Sequence, residues 1–183
     1  AAIAIGLGWT LSRVLTERML EREGKVTWEF VENLLNTDQS AEYFKAPTDP
    51  VLRARFLDSM KHLTEMRDAV RANAYSRDRQ VLWSSNKQLV GERYDDNTEL
   101  DQALRGELVV HSERLLLSEA ISTQKTEHAG MHLHGEYFIE TYMPIRDTRS
   151  GKVLGVMEVY KHPAQLNEEI QKGLIQLWLA CLL

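Results

Sequence analysis

The chain has 183 residues, 43% of them hydrophobic and 27% charged, which gives material for a sizeable core and excludes a mainly disordered segment. The formal charge is -5, with acids and bases mixed and no long basic run, which argues against a nucleic-acid partner. The one cysteine, Cys181, excludes an intrachain disulfide and a cysteine-based zinc site; the polar body is cysteine-free, which is compatible with export.

The first nine residues, Ala1 to Trp9, carry no charge, and neither do the last eleven, Gly173 to Leu183. Each run is about half of the ~20 apolar residues that span a bilayer as a helix. Runs this short also serve as buried terminal helices, but one at each extreme favours the membrane reading. Residues 1–9 then end a first transmembrane helix, 173–183 begin a second, and 10–172 form a domain on one side of the membrane. Trp9 and Trp178 fall near the two interfaces, where indole is favoured.

After Trp9 the pattern turns amphipathic. Leu11, Val14, Leu15 and Met19, then Trp28, Val31, Leu34 and Leu35, follow three- and four-residue steps between charged positions. The spacing predicts one long helix over residues 1–36, weakened near its middle by Gly24. Residues 36–50 read as a polar loop. Asp49 is a good N-cap and Pro50 a good first helical residue. Leu52, Phe56, Met60 and Leu63 mark the second helix, ending near Arg67. From Val70 the period becomes two, and Val81 to Trp83 returns after a polar turn at 76–80, so a β-hairpin is expected. Residues 91–97 read as loop. A short helix is expected over 100–104, with Gly106 placed to end it. Residues 107–112 and 120–126 are candidate strands. Tyr137 to Ile145, a turn at 147–152 and Val153 to Tyr160 form the clearest hairpin, rich in aromatic and β-branched residues. Pro163 ends it, and an exit helix starts at Ala164. The class is α+β, with a mainly antiparallel sheet flanked by helices.

Two segments and this element order resemble the Cache family, the extracellular PAS-like sensor domains of bacterial receptors. The segments are Ser76 to Ser85 with the following Leu89-Val90-Gly91, and Pro144-Ile145 through Gly151 to Tyr160. In place of the family's glycine, the first turn carries Arg79 and Gln80, a change expected to cost little because several turn types do not need glycine. The resemblance covers residues 10–172. It implies an antiparallel sheet of about five strands, a long N-terminal helix and a C-terminal exit helix, with a pocket on one sheet face for a small carboxylate or amino acid.

For such a pocket the candidate ligand contacts are Arg105, Tyr137, Glu140, Tyr142 and Arg146, because a cation among aromatics suits a carboxylate. Strand tyrosines more often pack a core or an edge, and Arg146 can simply flank a turn. His128, His132 and His134 are close enough in sequence to bind zinc, copper or nickel, or to lie solvent-exposed in a loop. No phosphate loop, nucleophile elbow, His-Glu-x-x-His or haem-attachment motif is present, so no catalytic set and no cofactor are expected. The expected function is an extracytoplasmic sensory domain of a membrane receptor facing the periplasm or cell exterior. A homodimer that signals through its terminal helices is expected, with a two-component histidine kinase as the first choice of output. The alternative is a ligand-free dimerisation or protein-docking module of a chemoreceptor or diguanylate cyclase.

Overall fold

The computed structural model describes residues 2–66, 68–114 and 137–162, together with Glu168, Lys172, Gly173, Ile175 and Leu179. The expected α+β class holds. A long helix α1 (Ala2–Thr37) is followed by α2 (Pro50–Thr64), a hairpin of β1 (Ala69–Ser76) and β2 (Val81–Ser84), and a short helix α3 (Thr98–Leu104). Strands β3 (Val109–Arg114), β4 (Tyr137–Arg146) and β5 (Val153–Lys161) complete an antiparallel five-stranded sheet of order β2-β1-β5-β4-β3. The candidate strand at 120–126 lies outside the described residues. So does most of the exit helix, of which Glu168, Lys172, Gly173, Ile175 and Leu179 are described and helical.

Local chemistry accounts for the element ends. Asp49 caps α2 by accepting from the backbone N–H groups of Val51 (2.8 Å) and Leu52 (3.0 Å), with Pro50 at the first helical position. Asn97 caps α3 by accepting from Leu100 N at 2.8 Å. Gly106 ends α3 with φ +99°, a conformation that favours glycine. At the first hairpin the structure corrects the reading that the missing glycine costs little. The turn does use a left-handed residue, Arg79, at φ 61°. That conformation costs a non-glycine residue about 1–2 kcal/mol. An ion pair from Arg79 Nε to Asp101 (2.7 Å, both side chains 33% exposed) ties the turn to α3.

One sheet face packs against α1 and α2. The buried side of α1 runs Leu20, Gly24, Thr27, Val31 and Leu35, at helical spacing. The earlier apolar stripe is not part of this core: Leu11, Val14 and Leu15 are exposed. Gly24 lets α1 approach the sheet closely; a Cβ there would lie 2.3 Å from a Val110 methyl carbon. The stretch at 36–50 is also more than a polar loop. It contains a 3-10 turn, Ser40–Phe44, that buries Ala41, Tyr43 and Phe44. Phe56 of α2 is the hub of that corner, stacked on Tyr43 (4.3 Å) and edge-on to Phe44 and Trp83 (5.8 Å each). Truncating such a ring to alanine costs about 3–5 kcal/mol. The second face is covered by α3, whose Leu100 and Ala103 pack on Tyr75, Tyr142 and Val156. Among the described residues, no helix is long and apolar enough to cross a membrane.

Candidate functional site

Side chains alternate across a strand, so each strand divides its residues between the two faces. On the helix-packed face, β1, β4 and β5 present Ala72, Ala74, Met143, Met157 and Val159. The other face is different in kind. There β1 presents Arg71, Asn73 and Tyr75, β5 presents Glu158 and Tyr160, and β4 presents Phe138, Glu140 and Tyr142, all of them buried. His111 of β3 stands opposite Glu140.

Register brings these residues together. Asn73 is opposite Glu158, Arg71 is opposite Tyr160, and Tyr142 is opposite Glu158. Glu140 is opposite Tyr160, so the two carboxylates are diagonal neighbours. Glu158 accepts from Asn73 Nδ2 (2.6 Å) and Tyr75 Oη (2.7 Å) on one oxygen and from Tyr160 Oη (2.6 Å) on the other. Asn73 is itself oriented by Ser84, whose Oγ donates to its Oδ1 at 2.6 Å. Tyr142 Oη donates to Glu140 at 3.3 Å and accepts from Asn97 Nδ2 at 3.2 Å. The residue that caps α3 therefore also orients a site tyrosine. Aromatic rings wall the layer: Phe138 stacks on Tyr160 (6.3 Å) and Tyr94 meets Tyr75 edge-on (6.1 Å).

Burial pushes the Glu158 carboxyl above its ordinary range, and the neighbouring Glu140 adds to the rise, against the opposing pull of the tyrosine hydroxyls. Two acids buried side by side resist ionising together, and the arrangement is suited to holding a proton or a cationic group between them.

Of the sequence-based candidates, Glu140 and Tyr142 lie in this layer and touch each other. Arg105 is exposed at the end of α3, with Nε 3.9 Å from Glu107. Arg146 is exposed and donates to the carbonyls of Gly106 (2.8 Å) and Gly151 (3.1 Å), tying the β4–β5 turn to the end of α3. Tyr137 begins β4 opposite Arg114. His128, His132 and His134 lie outside the described residues. Among those described, no group of three or more His, Cys, Asp and Glu is placed to hold a metal. Sequence reasoning missed Arg71, Asn73, Tyr75, Asn97, Glu158 and Tyr160. The available signal was polar residues at alternate positions within otherwise apolar strands: Asn73 between Ala72 and Ala74, Glu158 between Met157 and Val159.

No family model matches the chain, and no curated protein does. Solved structures do. The sensor domain of the Vibrio cholerae histidine kinase DctB superposes with a TM-score of 0.53 at 12% identity, covering 89% of this chain and 60% of that one. An extracellular ligand binding receptor from Desulfohalobium retbaense DSM5692 gives a TM-score of 0.45 at 14% identity, covering 83% of this chain and 26% of that one, too low a similarity to add to the fold assignment. The chain thus spans less than two thirds of the length of either structure. What it shares with the first is the fold: a long N-terminal helix and an antiparallel sheet arranged as in a histidine kinase sensor domain.

Proposed function

We propose that this chain is the extracytoplasmic ligand-sensing domain of a membrane-bound signalling receptor, with the polar layer over the sheet as its ligand site. The observation that carries the reading is the buried pair Glu140 and Glu158 in a shell of tyrosine and asparagine. A sheet face does not need carboxylates to pack, and apolar residues of similar volume are often neutral or stabilising in their place. The opposite face of this sheet is mostly alanine, methionine and valine, with Thr141 and the Glu23-paired Lys161 as buried polar exceptions and no carboxylate from the sheet itself among the described buried residues. Polar groups kept at a cost to stability mark places where function sets the residue.

The ligand class follows from the charges. Two carboxylates and aromatic rings favour an ammonium group, through ion pairing and the negative faces of the rings. Arg71, buried on the same face, supplies the opposite sign. Both signs together suit an amino acid better than a bare carboxylate. The fold likeness supports a histidine kinase as the output. The start of α1, with Trp9, Leu11, Val14 and Leu15 exposed, fits a helix that leaves the domain toward the membrane and pairs with a second copy.

A thermal-shift screen of amino acids, simple amines and dicarboxylates tests the reading. An ammonium-bearing ligand is expected to stabilise the chain by about 2.7 kcal/mol at a hundredfold excess over its Kd. The shift should be lost in a Glu140→Gln, Glu158→Gln double variant that still melts cooperatively. A well-folded wild-type chain that responds to nothing in the panel, or only to dicarboxylates, would overturn it.

A further inference from the structure

A groove of about 810 Å³ runs beside β2, on the outer edge of the sheet, between that strand and α2. Neither Glu140 nor Glu158 lines it. Its walls include Leu57, Leu82, Trp83 and Val90; Leu57 and Val90 are 37% and 47% exposed, and the other two are half-buried. Two cations, Arg53 and Lys87, also line it, whereas no Asp or Glu among the described residues does. In a chain of net charge -5, two cations without a carboxylate beside an apolar wall form a local reversal of sign. The volume falls within the usual ~300–1,000 Å³ of small-molecule sites.

We propose that this groove is a second binding site, for a small amphipathic organic anion whose apolar body lies on Leu82, Trp83 and Val90 and whose carboxylate meets Arg53 and Lys87. The alternative use of an exposed strand edge, pairing with a peptide, is disfavoured by what already occupies it. Val81 exchanges hydrogen bonds with the following loop, donating to Glu92 O and accepting from Gly91 N, each at 2.9 Å. Tyr43 Oη donates to the Leu82 carbonyl at 3.1 Å. With those backbone groups engaged, the groove offers side chains rather than a ladder, and a compact ligand fits it better than a strand.

Octanoate is a suitable probe, with octylammonium and octanamide as controls of equal chain length. Titration followed by amide and indole NMR shifts is expected to show saturable octanoate binding centred on Leu82, Trp83 and Val90, weakening as salt rises. Replacing both cations, Arg53→Gln with Lys87→Gln, should weaken octanoate about tenfold, as expected for two partly exposed ion pairs. A Val90→Asp variant, changed at an exposed position, should keep the wild-type melting temperature and lose binding. Glu158→Gln should leave octanoate binding unchanged, so failure of the groove and failure of the polar layer are separately visible. The proposal is overturned if octanoate does not bind, if octylammonium or octanamide binds as well, or if the shifts fall on Tyr75 and Glu158 instead.

Discussion

Lys161, the last residue of β5, is ion-paired with Glu23 in the middle of α1. The Lys161 side chain is 8% exposed and that of Glu23 27%, so the pair is largely shielded. Its neighbour in sequence, Tyr160, points to the opposite face and donates to Glu158 at 2.6 Å. One peptide bond thus separates the clamp on α1 from the polar layer.

Breaking this pair should be costly, because removal of one partner leaves the other charge partly out of water. Lys161→Met is expected to destabilise the chain by about 1.5–3 kcal/mol, the usual range for a hydrogen bond to a charged group. Urea denaturation reads this as a lower midpoint at unchanged slope. The double variant with Glu23→Gln should be less destabilised than the sum of the singles, giving a coupling of about 1 kcal/mol. Strict additivity would mean that the pair does not hold α1 in solution.

Two glycines permit close approaches, Gly24 between α1 and β3 and Gly155 between β5 and its neighbours Tyr75 of β1 and Phe44. A Cβ on Gly155 of β5 would meet the Tyr75 carbonyl oxygen at 2.3 Å and a Phe44 ring carbon at 2.5 Å. A Cβ on Gly24 would meet only the Val110 side chain, at 2.3 Å and beyond. Overpacking costs about 1–3 kcal/mol, and more where backbone must move. Gly24→Ala also recovers about 1 kcal/mol of helix propensity. Gly155→Ala is therefore expected to be the more damaging by thermal denaturation. Val110→Ala should rescue Gly24→Ala, and no single side-chain truncation should rescue Gly155→Ala. Equal effects at the two sites would contradict the backbone contact.

The elements were legible where the determinants are local. Asp49-Pro50 announces α2, and the aromatic and β-branched run at 137–145 with its turn announces the last hairpin. The 3-10 turn at Ser40–Phe44 was not, because two aromatic residues in a polar stretch carry no period. The buried side of α1 was legible in its second half, where Val31 and Leu35 are buried and Trp28 and Leu34 pack against the core, but not in its first. Leu11, Val14 and Leu15 look like core by spacing, yet they are exposed, whereas Leu20, Val31 and Leu35 are buried. The site was half legible for the same reason. Glu140 and Tyr142 stand out within one strand, but their partners depend on β1 pairing with β5, which joins Asn73 to Glu158 across 85 positions. No local pattern encodes that pairing.

Glu158 should leave a signature in the pH dependence of stability. Burial, and then the charge of Glu140, hold its carboxyl above the ordinary glutamate value of 4.5. The folded chain therefore keeps this proton over a window in which the unfolded chain has lost it. Stability falls as pH rises through that window and levels off once the folded carboxyl has ionised. Asp147 acts in the opposite sense. Its ion pair with Lys45 (2.5 Å), followed by the backbone N–H groups of Ser150 and Arg149, holds its carboxyl well below the usual range. Its contribution is complete above the ordinary aspartate value and is lost as pH falls. Urea midpoints from about pH 3 to pH 8 should then rise and fall around a maximum. Glu158→Gln should flatten the fall on the neutral side and keep the acid limb, and Asp147→Asn should do the reverse. A Glu158→Gln chain that still loses stability over the wild-type window would place the proton on another group, with Glu140 the first to test.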